Sequence, residues 1–151
     1  MKSQELRKIA PEIDPLRIGT GWSVADLSKP QIMIESTYGD SHPGSVGLLD
    51  LVYEVEKGIN DHGAKASKFF TTDICDGEAQ GHDGINYSLA SRDMIAGMIE
   101  IHNNATTFDG SVFVLGCDNG MPAHLMVAGR IHYPFIFVTG GVLEAGPDLI
   151  T

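Results

Sequence analysis

The chain has 151 residues, 42% of them hydrophobic and 20% charged, which predicts one globular domain and excludes a disordered or membrane-spanning protein. Its 20 acidic and 10 basic residues give a net charge of −10, which disfavours a nucleic-acid partner because such binding depends on Lys and Arg. The N-terminus lacks the apolar core of a signal peptide and nothing around the two cysteines indicates secretion. We therefore expect a cytoplasmic protein whose thiols are free or bind a metal.

The predicted elements alternate between strands and helices. Residues 1–30 are predicted to form an N-terminal arm with a short helix around Gln4–Ile9, after which prolines interrupt regular structure. Residues 31–151 are predicted to form one α/β domain. Its predicted strands are residues 31–35, 66–72, 111–115 and 135–138, and its predicted helices are 45–60, 88–104 and 123–131. This order predicts a flavodoxin-like parallel sheet with helices on both faces.

Residues 73–86 form the longest predicted connection. This segment contains four glycines and is predicted to be an irregular loop, and a loop of that length in a compact domain is usually functional or disordered. Ser88, directly after it, is predicted to cap the next helix at its N-terminus.

Two turns of the same kind follow the second and third predicted strands, namely Cys75-Asp76 and Cys117-Asp118. The carboxyl ends of parallel strands meet at one edge of the sheet, so these turns are predicted to converge there. Iron is bound by soft ligands such as thiolates, and Mg²⁺ by hard ligands such as carboxylates. The two residue types together therefore indicate a metal-dependent site. In the alternative interpretation, each cysteine is a small buried packing residue and Asp118 caps the following helix.

Other polar residues could contribute to the same site. His82 could reach the crevice, or it could be a solvated loop histidine. Arg92 could bind a substrate carboxylate, or it could pair with Asp93 or Glu78 at the surface. The remaining histidines are predicted to be surface or packing residues: His42, His102, His124 and His132.

Four motifs of this chain, and their order along it, resemble those of the dihydroxy-acid dehydratase and 6-phosphogluconate dehydratase family. They are CDGEAQGHDGINYSLASR at 75–92, FDG at 108–110, GCD at 116–118 and FVTGG at 137–141. The similarity extends from about Pro30 to Glu144, and its motifs are long and ordered.

The resemblance implies an iron–sulphur hydro-lyase that removes water from a 2,3-dihydroxy acid or a sugar acid to give a 2-keto acid. It implies that Cys117 binds a cluster, with two or four irons, and that Asp76 and Asp118 bind Mg²⁺. Members of the family are typically homodimeric, so self-association is expected here too. Cys75 is a further candidate ligand of the cluster.

The chain departs from the family pattern in three ways. Many members have a lysine, carbamylated to bind Mg²⁺, where this chain has Asn119, and many have a cluster cysteine in the loop that corresponds to residues 37–44. Members are also several times longer, and the resemblance implies that a third cluster cysteine, a further Mg²⁺ ligand and a serine base lie beyond Thr151. We therefore expect this chain to be the N-terminal portion of a longer enzyme. It should contain no catalytic residue and should be inactive alone.

Two alternatives remain open on the sequence. The chain could be a degenerate, non-catalytic relative that binds a divalent cation, with Asn119 marking the lost activity. It could also share only the fold, with Cys75 and Cys117 as buried packing residues.

Overall fold

A computed structural model describes residues 1–143 of the chain. The prediction of a truncated domain concerns its C-terminal end, and residues 144–151 there lie outside the described residues. The centre of the structure is a parallel sheet in the order β2-β1-β3-β4. Its strands are β1 (Gln31–Ser36), β2 (Lys65–Phe70), β3 (Gly110–Leu115) and β4 (Phe135–Thr139). The predicted α/β class is confirmed, and the order matches the first four strands of flavodoxin-like sheets.

Seven α-helices are described. They are α1 (Lys2–Ile9), α2 (Ile13–Gly19), α3 (Pro43–Val46), α4 (Leu48–Asp61), α5 (Asp76–Ala79), α6 (Ser88–Thr106) and α7 (Gly120–Ala128). No helix within residues 1–143 has the length and apolar character needed to cross a membrane.

Helices cover both faces of the sheet because successive strand side chains point in opposite directions. Ile34 and Val112 share one apolar cluster with α4 residues, whereas Met33 and Phe113 share another with residues of α6 and α7. Every residue of β3 is buried, as expected for a central strand with both faces covered. The two layers hold the carboxyl edge of the sheet in place.

The segment 73–86 is more regular than predicted. It contains helix α5 and a 3₁₀ turn at Asp83–Tyr87, separated by Gly81, whose φ of 81° is readily adopted by glycine. These turns are too short to show a hydrophobic period, so the prediction of an irregular loop was wrong. Ser88 is also not a cap: the N-cap residue of α6 is Tyr87, and the Ser88 hydroxyl is turned toward Asn119.

Residues 1–30 pack against the opposite, amino-terminal edge of the sheet. The carboxylate of Asp109 accepts hydrogen bonds from Ser3 N at 3.0 Å and from Ser3 Oγ at 2.6 Å. The same carboxylate accepts one from Gln31 N at 2.9 Å, at the start of β1. The N-terminal segment therefore leaves the carboxyl edge, where the predicted site lies, uncovered.

Candidate functional site

The loops after β1 and β3 touch at the carboxyl edge of the sheet. A Cβ on Gly116 would lie 2.5 Å from the backbone oxygen of Gly44, a distance that real side chains do not reach. The loop after β2 comes equally close to the start of α7, since a Cβ on Gly120 would lie 2.8 Å from Asp73 Oδ2. Glycine at these two positions lets three loops converge.

Cys117 stands at this convergence in a strained backbone conformation. Its φ is 60°, in the left-handed region, and this conformation costs a residue with a Cβ about 1–2 kcal/mol of conformational free energy. Strain of this kind is concentrated at functional sites. The thiol is partly exposed and lines a cavity of about 220 Å³ together with Gly44, Leu48 and Gly140.

The Cys117 thiol is held in its protonated form. Burial, together with the hydrogen bond to Asp118 and the negative charge of that residue, raises the pKa of Cys117 to about 11. The S–H group donates to Asp118 Oδ1 over 3.2 Å. Since metals bind the thiolate, this proton would have to leave before Cys117 could act as a ligand.

The strain at Cys117 can be measured. We expect Cys117→Gly to be more stable than Cys117→Ala by about 1 kcal/mol, because glycine adopts the positive φ without cost. Urea unfolding of the metal-free chain, followed by the fluorescence of its one tryptophan, Trp22, gives the difference. Equal stability of the two variants would show that the backbone at this turn is not strained.

The two carboxylates predicted to bind Mg²⁺ are brought together. Asp76, the first residue of α5, has its pKa lowered by hydrogen bonds from Ser88 and Asn119, with a further contribution from the positive charge of Arg92. A hydrogen-bond contribution from Asp118, the smallest of the causes, places its carboxyl group near Asp76. Asp118 is not a helix cap, since the N-cap residue of α7 is Asn119.

Asn119 links these parts of the site and is completely buried. Its Nδ2 donates to Asp76 Oδ1 at 2.7 Å and to the backbone oxygen of Ile74 at 3.1 Å. Its Oδ1 accepts from Arg92 Nε at 3.0 Å and from Ser88 Oγ at 3.4 Å. Asn119 therefore fixes the loop after β2 to the start of α7, a role the sequence did not indicate.

Cys75 lies elsewhere on the same edge. It lines a second cavity, of about 370 Å³, together with Asp73, His82 and Tyr87, and does not line the cavity of Cys117. His82 is exposed and bonded only to its own loop, through Glu78 O and Gly84 N, as in the interpretation of a solvated loop histidine. Residues 1–143 contain no group of three His, Cys, Asp or Glu side chains arranged to hold a metal ion.

Two further histidines are buried and hydrogen-bonded to carboxylates. Their prediction as surface or packing residues did not include these carboxylate partners. His42 Nε2 lies 2.9 Å from Asp73 Oδ1, and His124 Nε2 is hydrogen-bonded to Glu35. Glu35 offered a signal, because it is the one charged residue of strand β1 and follows the apolar residues 32–34. His102 does pack, stacked on Phe69 with ring centroids 3.9 Å apart.

The alternative in which both cysteines are buried packing residues does not fit this geometry. Both thiols are unpaired and partly exposed. One has a strained backbone and the other precedes a carboxylate that is already engaged in a polar network.

Comparison with known proteins agrees with the motifs. Residues 29–150 match the family described as dihydroxy-acid/6-phosphogluconate dehydratase N-terminal. The dihydroxy-acid dehydratase of Methanosarcina barkeri is 39% identical over 94% of this chain and 26% of its own length. Those of Geobacter metallireducens and Endomicrobium trichonymphae are 41% and 42% identical, over 85% and 87% of this chain and 23% and 24% of their lengths. The chain thus spans about a quarter of these relatives, and it belongs to the dihydroxy-acid/6-phosphogluconate dehydratase family, whose N-terminal region it matches.

Proposed function

We propose that this chain is the N-terminal part of a hydro-lyase that converts a 2,3-dihydroxy acid or a sugar acid to a 2-keto acid. The observation that carries the proposal is the Cys117-Asp118 turn, where a thiol, the side chain that iron prefers, stands next to a carboxylate that lies near Asp76. The relatives named dihydroxy-acid dehydratase support the reaction class.

The residues present fit the two inorganic groups that such an enzyme would use. Two adjoining carboxylates, Asp76 and Asp118, provide the oxygen ligands that Mg²⁺ prefers, and a dication would offset their repulsion. Cys117 provides a thiolate for an iron–sulphur cluster of two or four irons. When bound, the cluster would polarise the departing 3-hydroxyl, while Mg²⁺ would hold the substrate's carboxylate and 2-hydroxyl.

The chain's own residues prepare this site. Ser88 and Asn119 hold Asp76 in its ionised form and orient it, and Arg92 adds positive charge beside it. Asp118 accepts the hydrogen bond from the Cys117 S–H group, whose proton would have to leave for the sulphur to bind a metal. We propose that the 151 residues alone do not turn over substrate, since the described residues offer Cys117 no second cysteine in its cavity.

The proposal is tested with the full-length gene product, prepared anaerobically and assayed for 2-keto acid formation from a panel of 2,3-dihydroxy acids and sugar acids. Asp76→Asn should lower activity by about 100-fold or more, because it removes a ligand charge from the Mg²⁺ site. Asp93→Asn is the matched control, since Asp93 is exposed on α6. Full activity of Asp76→Asn would exclude this residue from the site.

A second function deserves a test because of Asn119. This side chain is fully engaged in hydrogen bonds. By the family resemblance described above, it stands where a carbamylated lysine that binds Mg²⁺ is expected. The chain could therefore belong to a degenerate relative that binds a divalent cation without catalysis. A full-length product that binds Mn²⁺ in place of Mg²⁺, yet holds no iron and dehydrates none of the acids, would favour this function.

We further propose that the protein self-associates and is cytoplasmic. Helix α6 exposes apolar side chains, including Met94 at 68% and Ile101 at 64%, and such surfaces often mark interfaces. Light scattering after size-exclusion chromatography tests for the dimer.

The two unpaired thiols fit the reducing compartment that a cytoplasmic protein occupies.

A further inference from the structure

Three buried polar atoms without a hydrogen-bond partner belong to residues that follow strands β1 and β2 at the carboxyl edge of the sheet. They are Thr37 Oγ1, His42 Nδ1 and Asp73 Oδ2, three of the four such atoms found within residues 1–143. Their residues are only 0%, 3% and 5% exposed. Because buried polar groups are nearly always paired, unpaired atoms in one place indicate a group that binds there.

The His42 ring is oriented as in a metal ligand. Its Nε2 lies 2.9 Å from Asp73 Oδ1, and a carboxylate oxygen accepts a hydrogen bond from the N–H group of that nitrogen. The lone pair is then on Nδ1, which has no partner. Metal-binding histidines characteristically donate their other ring N–H to a carboxylate, which fixes both the tautomer and the ring orientation.

The free nitrogen faces the same space as the Cys117 thiol. A Cβ placed on Gly44 would lie 3.1 Å from His42 Nδ1 and 3.2 Å from Cys117 Sγ. Because Gly44 has no side chain, no Cβ stands between the imidazole nitrogen and the sulphur atom. Imidazole and thiolate are both iron ligands, and they occur together in some iron–sulphur centres.

We propose that His42 binds iron through Nδ1 beside Cys117, in place of the cysteine that loop 37–44 lacks. The inference rests on the proposed function, because it requires that the full-length protein holds a cluster. It assigns Asp73 a positioning role, through its bond to Nε2. It leaves Cys75, in its separate cavity, outside the cluster.

Histidine ligation has a spectroscopic signature that does not depend on activity. The full-length product is prepared anaerobically, its cluster is reduced, and pulsed electron paramagnetic resonance is recorded for protein made with ¹⁴N-histidine or ¹⁵N-histidine. We expect a strong ¹⁴N coupling that changes to ¹⁵N with the label. This measurement needs no mutation, so it remains decisive even where a His42 variant fails to fold.

Variants then identify which histidine is the ligand. His42→Cys should keep iron but lose the histidine coupling and shift to a lower reduction potential, since thiolate replaces imidazole. His42→Leu should retain iron about 10-fold less well or worse. His82→Gln, at an exposed loop histidine, is the control and should match wild type.

The outcomes separate this inference from the proposed function. A wild-type protein without iron overturns both. A wild-type protein that holds a cluster but shows no histidine nitrogen coupling, or a His42→Leu protein with unchanged iron and spectrum, overturns the His42 assignment alone.

Discussion

Replacing His124 by leucine is expected to lower the free energy of unfolding by about 3–5 kcal/mol. Both His124 and Glu35 are 0% exposed, so the variant leaves a buried carboxylate without its charged partner. Thr71 Oγ1, which donates to Glu35 Oε1 at 2.6 Å, cannot supply the missing charge. Urea unfolding followed by Trp22 fluorescence measures the loss.

The protonation of His124 gives this prediction a pH dependence. Burial disfavours the charged imidazole, but the Glu35 carboxylate and the bond from Nδ1 to Gly120 O, at 2.7 Å, outweigh burial and raise the pKa above 6.5. A raised pKa in the folded state contributes stability that is fully present below the unfolded pKa. That contribution is lost as the pH rises through the folded pKa, so wild type should lose part of its advantage over His124→Leu in alkaline solution.

The double variant Glu35→Leu/His124→Leu is the control, because it removes both charges together. It should recover part of the lost stability, since replacing a buried pair by apolar residues is often close to neutral. A stability loss below about 1 kcal/mol in His124→Leu would contradict the assignment of a buried ion pair. Strict additivity would contradict it too, that is, a double variant that loses as much stability as the single variants Glu35→Leu and His124→Leu together.

Asn119→Ala is the second change with a large expected effect. It removes the donors to Asp76 and Ile74 and the acceptor for Arg92, all from a completely buried position. We expect Mg²⁺ affinity of the full-length protein to fall by about 10–100-fold, as when a group that orients a metal ligand is lost. Stability should fall by about 2–3 kcal/mol, because buried polar groups are left unpaired.

Asn104→Ala is the matched control for this variant. Asn104 is also an asparagine whose Nδ2 donates to a backbone oxygen, that of Glu100 at 2.9 Å, but it is exposed on α6. It should change neither Mg²⁺ affinity nor, beyond about 0.5 kcal/mol, stability. If Asn119→Ala bound Mg²⁺ as tightly as wild type, the asparagine would not position Asp76.

The fold could largely be predicted because its signals are local. Apolar runs identified all four strands to within a few residues: for example, residues 66–72 were predicted where β2 covers Lys65–Phe70. The Cys-Asp turns were predicted to converge because parallel strands end at one edge, and the proximity of Asp118 to Asp76 agrees with that reasoning. Helix α5 was missed, since one helical turn is too short to show a period.

The buried pairs could not be predicted from one sequence. His42 and Asp73 are 31 positions apart, and Glu35 and His124 are 89 apart, so their contacts depend on how the sheet brings distant loops together. Asn119 was noticed only as a departure from a family pattern. Its four hydrogen bonds join three segments of the chain and appear only in the folded structure.

The most direct test of the central claim is an anaerobic preparation of the full-length product, assayed for iron and sulphide beside its visible absorption spectrum, for wild type and for Cys117→Ser. The proposed dehydratase predicts iron, sulphide and a cluster spectrum in wild type and their loss in the variant. Absence of iron from both proteins would contradict the claim and leave the edge of the sheet as at most a divalent-cation site.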